Sequence, residues 1–393
     1  MTDTTDATAT VRTPVLRTAA NAETVKTPVV TVTETAETVR TPVVTVAETA
    51  ETPVVTAETA RTVCTASGPE GPDDAPRAVP VSRRWRRPGA VTVLCSGLFS
   101  AALAGHGLLP QLPGRLTSLA ETLLPWTALA VPVLVAPAVL RRAWRAAAVA
   151  LVLPTAAWLG VLGGALADKS SPGGDLTVVS HNVNQANPDP EGTVRSLLAA
   201  KADVLALEEL SPETAPAYER ALADAYPYHS YQGTVGLWSV HPLRDARGLT
   251  IMPWTRAMRA TVETPGGRIA VYVAHLPSVR VGPAGFTTRT RDEALGLLAA
   301  EVRAEPVRRV VLLGDLNGST ADRALRPLTD RLSSAQETAG AGFGLTWPAR
   351  LPVVRIDQIL CDGVRAVSAW TLPATASDHL PVAARIALSP DGS

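Results

Sequence analysis

The feature of this chain that most constrains its fold is a set of polar residues placed at the ends of apolar runs in its C-terminal half. The segments are Val178–Asn182, Val204–Glu209, Val271–His275, Val310–Asn317, Ile356–Asp357 and Ser377–His379. Continuous runs of valine and leucine are typical of strands that are covered on both faces. Carboxylates, carboxamides and imidazoles at the mouths of such strands are costly without partners. We therefore expect them to converge in one oxygen-rich cleft that suits a hard divalent cation, with a histidine for acid–base work.

Composition excludes some classes of function and leaves others open. The formal net charge of the 393 residues is zero, so no global charge favours a nucleic-acid partner. Cys64, Cys95 and Cys361 lie far apart in the sequence. They fit neither a metal motif nor a disulfide framework, and they do not indicate a redox compartment.

Residues 1–85 are rich in Thr, Val, Ala, Glu and Pro and contain an internal repeat. Thr10–Pro14 returns as Thr24–Pro28 and again as Thr38–Pro42. Each unit is short and contains a proline, which interrupts a helix. We expect a disordered tail here, with a β-rich array as the alternative.

Three stretches without charge follow the tail: Gly89–Leu109, Thr122–Leu140 and Ala146–Leu166. Each has about the 20 residues that a helix needs to cross a bilayer. Prolines in the second stretch are tolerated in membrane spans. We therefore predict three transmembrane helices within residues 89–166. The alternatives are buried core helices and, for the first stretch, a signal peptide.

The arginines around these stretches predict an orientation. Arg83, Arg84, Arg86 and Arg87 precede the first stretch, and Arg141, Arg142 and Arg145 precede the third, whereas Arg115 stands alone between the first two. By the positive-inside rule the tail is cytoplasmic and the third span ends on the outer face of the cell membrane. Residues 167–174 then form a short flexible linker, and the remaining chain lies outside.

Residues 175–390 are predicted to form a globular α/β domain. Strand-like runs alternate with helical stretches at residues 193–200 and 291–303. Two layers of sheet with helices outside would cover the strands on both faces.

Two motifs in this domain contain candidate catalytic residues. In Gly314–Asn317 a glycine allows a turn, after which Asp315 could activate water and Asn317 could steady a phosphoryl oxygen. A plain strand-ending turn is the alternative. In Ser377–His379 the imidazole of His379 could act on phosphate if Asp357 fixes its tautomer, or it could be a surface residue.

Early strand ends supply a candidate metal site. Asn182 and Glu209 offer the amide and carboxylate oxygens that Mg²⁺ prefers. Glu208 is the rival ligand, and strand alternation predicts that only one of the two glutamates points into the cleft. His275 could be a phosphate contact or an acid, and a satisfied core histidine is the alternative.

The order of these motifs resembles that of the endonuclease/exonuclease/phosphatase superfamily, whose members share a DNase I-like two-sheet sandwich flanked by helices. The resemblance covers residues 176–388. It implies that Asn182 and Glu209 hold the metal with help from Asp378, that Asp315 activates water, that Asn317 orients phosphate, and that Asp357 pairs with His379, with His275 as a further catalytic residue. The implied cofactor is Mg²⁺, with Mn²⁺ as the alternative.

Within the superfamily the chain resembles an actinobacterial membrane-anchored branch that includes teicoplanin-resistance membrane proteins. The residues that carry this likeness are Asn187–Asp189 and Leu345–Ala349, together with the apolar stretches before the domain. Gln358 departs from the branch, which often has His or Tyr there.

These observations favour a membrane-tethered phosphoesterase that attacks a phosphorus with an Asp315-activated water. Tethering raises the effective concentration of lipid-linked substrates such as polyprenyl phosphates or phospholipids. The runner-up is an extracellular nuclease or general phosphodiesterase, which needs a basic groove. Arg289, Arg291, Arg308, Arg309 and Arg355 are available for one but do not cluster with aromatic residues. A non-catalytic binding module is the third alternative.

Overall fold

The computed structural model of the protein describes residues 89–388 except Ala284. The predicted tail, residues 1–85, lies outside the described residues. The described chain begins with a helical region made of α1 (Ala90–Ala104), α2 (Leu116–Thr122), α3 (Ala130–Leu140) and α4 (Trp144–Leu166), together with short 3-10 turns at His106–Leu108, Pro113–Arg115 and Leu124–Leu129.

The prediction of three transmembrane helices is not supported by this region. Among the described residues, only α4, with 23 residues, is long and apolar enough by itself to cross a membrane. Helix α1 has 15 residues, which span about 22 Å against the ~30 Å of a bilayer core. The segments Pro113–Thr122 and Leu124–Leu140 form a pair that is bent by 85°.

Local sequence explains why the apolar stretches break. Helix α1 ends at Gly105, and Pro110 follows closely. The second stretch contains three prolines, and its first part forms a 3-10 helix that begins beside Pro125. Hydropathy alone predicts continuous helices over these stretches. A glycine C-cap and prolines interrupt the backbone hydrogen bonding of a helix, so the helices end earlier.

The α/β domain after the helical region alternates strands and helices, as predicted. Its strands are β1 (Leu176–Asn182), β2 (Val204–Glu208), β3 (Tyr228–Gln232), β4 (Val235–Ser239), β5 (Leu243–Gly248), β6 (Ala257–Thr264), β7 (Gly267–Ala274), β8 (Arg280–Gly282), β9 (Gly285–Thr287), β10 (Val310–Asp315), β11 (Ser333–Ser334), β12 (Asp357–Asp362), β13 (Arg365–Thr371) and β14 (Val382–Ala387). Its helices are α5 (Pro190–Leu198), α6 (Ala215–Leu222), α7 (Arg289–Arg303), α8 (Arg326–Thr329) and α9 (Ala335–Ala339), with a 3-10 turn at Arg323–Leu325.

The strands form two mixed six-stranded sheets. The first has the order β13-β14-β1-β2-β4-β3, and the second has the order β11-β12-β10-β7-β6-β5. In each sheet one central pair is parallel: β1 with β2, and β7 with β10. The other named pairs are antiparallel, and β8 and β9 form a separate hairpin.

The main core lies between the two sheets. Val178 and Leu237 of the first sheet pack in one apolar cluster with Val271 and Val311 of the second. Helices α5 and α6 cover the outer face of the first sheet, and α7 covers that of the second. Both faces of the central strands are therefore buried, which confirms the predicted DNase I-like sandwich flanked by helices.

The helical region packs directly against the α/β domain. The buried carboxylate of Glu121 accepts a hydrogen bond of 2.9 Å from Nε of Arg323. Trp126 donates its indole N–H to the carbonyl of Val353 at 2.7 Å. In the predicted linker at residues 167–174, the backbone N–H of Ser171 donates to the Val367 carbonyl at 2.7 Å, so the linker is anchored on β13.

Candidate active site

Sheet pairing gathers the predicted site residues at one edge of the sandwich. Asn182 ends β1 and Glu209 directly follows β2, its parallel neighbour. His275 directly follows β7, and Asp315 ends the parallel strand β10. Asp315 is in turn the register partner of Asp357, the first residue of the antiparallel strand β12. The strand ends of both sheets therefore supply the side chains of one cleft.

Asn182 connects the two sheets at this edge. Its side-chain amide donates to Oε1 of Glu209 and to Oδ2 of Asp315, both at 3.1 Å. Its own Oδ1 accepts the backbone N–H of Asn184 at 3.0 Å. The side chain is fully buried, so its amide dipole holds two carboxylates at fixed positions.

The Gly314–Asn317 segment forms a turn, and the turn positions the carboxylate of Asp315. Gly314 has a φ of 140°, and a Cβ atom there would lie 2.0 Å from the carbonyl oxygen of Ala274. Oδ1 of Asp315 accepts the Asn317 backbone N–H at 2.8 Å. The Asn317 amide donates to Leu276 O at 2.9 Å and to Oδ2 of Asp315 at 3.2 Å. Asn317 thus orients the Asp315 carboxylate.

The predicted pairing of Asp357 with His379 is present. Nδ1 of His379 lies 3.1 and 3.0 Å from the two carboxylate oxygens of Asp357, and both side chains are buried. Ser377 supports the loop, because its hydroxyl donates to Asn182 O at 2.7 Å and accepts the backbone N–H of His379 at 3.1 Å. Nε2 of His379 lies 3.9 Å from Oδ2 of Asp315 and so faces the cleft.

The two imidazoles of the cleft have opposite tendencies to bind a proton. Burial lowers the pKa of His379, but the charges of Asp357 and Asp315 outweigh it and raise that pKa to about 10. Burial, Arg256 and His379 all lower the pKa of His275 well below its usual value. Without a bound cation His379 is therefore a cation at neutral pH and His275 is neutral, a division of roles that suits acid–base chemistry.

The carboxylate of Asp315 lies close to both histidines of the cleft, and its pKa is shifted from the ordinary value of an aspartate. Burial, followed by the charge of Asp357, raises its pKa. Nε2 of His275 lies 3.7 Å from Oδ2 of Asp315 and 3.6 Å from Oε1 of Glu209. A carboxyl group with a raised pKa is a better proton acceptor at neutral pH than an ordinary aspartate.

Of the two neighbouring glutamates, Glu209 turns into the cleft and Glu208 does not. Strand β2 ends at Glu208, and Glu209 takes a left-handed backbone with a φ of 60°. Glu209 therefore turns into the cleft, where it meets Asn182. Glu208 is fully buried below the site, where Ser180 donates to it at 2.9 Å and burial raises its pKa. The charges of Asp357 and Asp315 raise that pKa further, so both glutamates belong to the surroundings of the cleft.

Asp378 has polar partners that the sequence did not indicate. Its two carboxylate oxygens accept the side-chain amide of Asn184 at 2.8 Å and the indole N–H of Trp347 at 3.3 Å. Its assignment to the metal site stays a prediction. Trp347 belongs to the segment Leu345–Ala349 that carried the sequence resemblance, which gives that motif a structural role beside the cleft.

Arg256 is a site residue that sequence reasoning missed. Its Nη2 lies 2.6 Å from the ring nitrogens of His275, and its charge acts on Glu209 and Asp315. It stands directly before β6, where nothing in the local sequence separates it from other arginines. Only the pairing of β6 with β7 brings it to the end of the strand that His275 follows.

The donors of the cleft fit a hard divalent cation. Asp315, Asp357 and His379 offer ligand atoms that all lie within 4.8 Å of one another. Glu209 adds carboxylate oxygens at the same edge, and its side chain is 31% exposed toward solvent. The Asn182 side chain turns its N–H groups toward the carboxylates, and its oxygen accepts the Asn184 N–H. Buried carboxylates this close repel one another, and a divalent cation offsets that cost while accepting oxygen ligands.

The fold and the cleft together define a hydrolase of phosphoester bonds with a DNase I-like architecture. The model of the endonuclease/exonuclease/phosphatase family matches residues 179–379, which hold all eight predicted site residues. The chain belongs to this family.

Solved structures of similar shape include the following three. A humanised TDP2 of D. rerio is 19% identical over 54% of this chain and 98% of its own, with a TM-score of 0.46. The mannosyl-6-phosphatase Bt3783 of Bacteroides thetaiotaomicron is 15% identical over 54% and 99%, with a TM-score of 0.45. Beta toxin of Staphylococcus aureus with bound magnesium ions is 17% identical over 54% and 99%, with a TM-score of 0.42. No curated protein sequence matches the chain significantly. The family assignment rests on the family model.

Proposed function

We propose that the protein is a Mg²⁺-dependent phosphoesterase, tethered to the cell membrane by its helical region, that hydrolyses lipid-linked phosphate esters on the outer face. The observation that carries the proposal is the convergence of Asn182, Glu209, His275, Asp315, Asp357 and His379 in one buried cluster made by both sheets.

Each residue of the cleft has a separate role in the proposed reaction. Asp315 accepts a proton from the attacking water, since Asn182 and Asn317 fix its carboxylate and burial raises its pKa. His379 is anchored through Nδ1 by Asp357, so its Nε2–H is free to donate to a phosphoryl oxygen or to the leaving group. Neutral His275 and cationic Arg256 lie beside Glu209 and can contact the phosphate.

A bound Mg²⁺ supplies positive charge that stabilises the phosphoryl group. Glu209 would hold it through its partly exposed carboxylate. Asn182, the other ligand proposed from the sequence resemblance, would have to turn its carboxamide over, because its N–H groups face Glu209 and Asp315 in this structure. Asp378 remains the third ligand proposed from the sequence resemblance.

Membrane tethering is supported by the apolar surface of the helical region. Large side chains are widely exposed on α1 and α4, for example Val91 at 73%, Leu98 at 63% and Val152 at 64%. An apolar surface of this extent needs a covering partner, and a bilayer provides one. Arg141, Arg142 and Arg145 flank the start of α4, so the positive-inside rule directs its end, and the catalytic domain, outward even if α4 is the sole complete span. The tail before α1 is a cytoplasmic segment in this proposal.

The nuclease alternative gains little from the arginines proposed for a basic groove. Arg291 is buried and paired with Asp322 at 2.8 Å, and Arg355 is paired with Glu337 at 2.6 Å. Arg291 is therefore buried in an ion pair, and Arg355 is held by a largely exposed carboxylate, so two of the five arginines already have carboxylate partners.

Hydrolysis by the full chain in lipid nanodiscs tests the proposal. The substrate panel contains a polyprenyl diphosphate, a phospholipid, a generic phosphodiester, a soluble phosphate monoester and single-stranded DNA, each with Mg²⁺, with a chelator and with an Asp315→Asn variant. We expect release of phosphate from lipid-linked esters that the chelator and the variant both abolish. Cleavage confined to DNA would favour the nuclease, and no cleavage of any substrate by a folded protein would leave a binding role. A reporter fused after Ser393 tests the orientation, because activity in the cytoplasm would contradict it.

A further inference from the structure

A cavity lies between the helical region and the catalytic domain. It has a volume of about 380 Å³, and its walls include Leu124 and Pro125 of the bent pair, Leu162 of α4, and Phe343 of the catalytic domain. This volume falls in the range of small-molecule sites, which is about 300–1,000 Å³. The cleft residues described above do not line it.

One side of this interface cavity is apolar and held in place by aromatic contacts. Val161, Leu162 and Ala165 contribute the wall from α4. One turn earlier on α4, Trp158 donates its indole N–H to the Pro125 carbonyl at 3.1 Å, and its ring meets that of Phe343 edge-on at 6.0 Å. These contacts join α4, the bent pair and the catalytic domain around the cavity, so its apolar wall is a built feature of the fold.

The other side of the interface cavity is polar and adjoins the active site along the chain. Ser319 lies two residues after Asn317, and Arg355 lies two residues before Asp357. The Gln358 amide donates to Gly318 O at 3.1 Å and to Arg355 O at 3.0 Å, which joins the two segments. Among the described residues, Nε of Arg355 is a buried donor without a hydrogen-bond partner. A buried donor of this kind calls for an acceptor, such as an ester or phosphoryl oxygen.

The position of the interface cavity on α4 indicates where its occupant comes from. The 23 residues of α4 are about 35 Å long, slightly more than the ~30 Å core of a bilayer. Its four cavity-lining residues, Val161, Leu162, Gly164 and Ala165, lie in its last two turns. If α4 spans the membrane, the cavity lies at the outer boundary of the bilayer, where a lipid can enter it from the side.

We propose that the interface cavity binds the part of a hydrocarbon chain that adjoins the phosphate of a lipid phosphate substrate. The chain packs against Leu162 and Phe343, and the oxygen end of the lipid faces Arg355 and Ser319. The inference rests on the proposed phosphoesterase function. It adds that the helical region forms part of the substrate site and so selects lipid substrates, besides anchoring the protein.

A matched pair of substitutions on α4 tests the interface cavity. Leu162→Trp fills it, whereas Leu159→Trp places the same bulk three residues earlier, at a side chain that is 50% exposed and does not line the cavity. Both variants of the full chain are assayed in nanodiscs on hexadecyl phosphate and butyl phosphate. Leu162→Trp should lower the ratio of kcat/KM for the long chain to that for the short chain about tenfold or more, since the filled cavity no longer buries several CH₂ groups. Leu159→Trp should leave the ratio at the wild-type value.

Equal ratios in wild type and Leu162→Trp would overturn the inference, as would the same fall in both variants. Ala165→Phe serves as a second filling variant if Leu162→Trp does not fold. Binding separates this inference from the proposed function: hexadecyl phosphate is titrated into the Asp315→Asn protein with and without Leu162→Trp, where no turnover is needed. Binding weakened about tenfold by the filling substitution would support the cavity even if no hydrolysis is found. Hydrolysis of both esters without any effect of Leu162→Trp would contradict the proposed role of the cavity but not the phosphoesterase function.

Discussion

The catalytic cleft and the helical region differ in how completely their sequences specify their structures. In the cleft most polar side chains lie at or next to the end of a strand, and strand register fixes their places. Asp315 and Asp357, 42 positions apart, are direct register partners. In the helical region the apolar stretches indicate that the residues prefer a lipid bilayer or a protein core. They do not indicate where each helix ends. Strand register therefore carries more positional information than hydropathy.

The contrast appears in the errors as well. In the cleft, sequence reasoning missed Arg256, whose place depends on strand pairing, and it did not foresee the left-handed backbone of Glu209 after β2. The helical prediction failed at the level of elements, because α1 has only 15 residues and the second stretch is bent. Glycine and proline decide such breaks within one or two residues, and a sum over a window hides them.

A substitution pair on one strand gives the sharpest test of the cleft. Asp357 begins β12 at the active site and Asp362 ends the same strand far from it, paired with Arg331. Asp357→Asn should lower kcat by about 10²–10⁴-fold, because His379 loses the carboxylate that orients and charges it. Asp362→Asn should keep kcat and cost at most about 1 kcal/mol of stability. Steady-state kinetics with a soluble phosphate ester measures both, and equal losses would show that β12 matters only for folding.

The interface between the two regions can be broken at one ion pair. Glu121 is 2% exposed and receives Nε and Nη2 of Arg323. Arg323→Ala leaves a buried carboxylate unpaired, which should destabilise the docking of the helical region by about 3–5 kcal/mol. Thermal unfolding and limited proteolysis of the bent pair would report it. Arg244→Ala, at the largely exposed pair with Glu263, is the control and should change little. An unchanged cleavage pattern in Arg323→Ala would mean that apolar contacts alone hold the regions together.

A smaller effect should appear in the acid stability of the catalytic domain. His181 is fully buried on β1, and burial lowers its pKa to about 3. The unfolded chain binds its proton near pH 6.5, so this histidine destabilises the fold as pH falls from about 6.5 toward 3 and has no such effect above 6.5.

His181→Gln removes that titration while keeping a polar partner for Thr375. The variant should lose less stability than wild type between pH 6 and 4.5, by up to about 1.4 kcal/mol per pH unit. Denaturant unfolding at the two pH values measures the difference. Parallel pH profiles would show that His181 is already protonated in the folded protein.

Much of the fold and site could be predicted from the sequence because the determinants are local. The strand runs, the helix near residues 291–303 and the Asp357–His379 pair are found where predicted. Arg256 could not be found this way, since its place depends on the pairing of β6 with β7. The packing of Trp158 against Phe343 beside the interface cavity could not be found either, because the two residues are 185 positions apart in the sequence.

The most direct test of the central claim is the metal dependence of hydrolysis in a Glu209→Gln variant. Phosphate release from a soluble ester is measured against Mg²⁺ concentration for wild type and variant. If Glu209 holds the cation, the Mg²⁺ concentration for half-maximal activity should rise about tenfold or more, as expected for loss of one charged ligand, and saturating Mg²⁺ should restore much of the rate. An unchanged Mg²⁺ dependence, or hydrolysis that persists without any divalent cation, would contradict the assignment of this cleft as a metal-dependent phosphoesterase site.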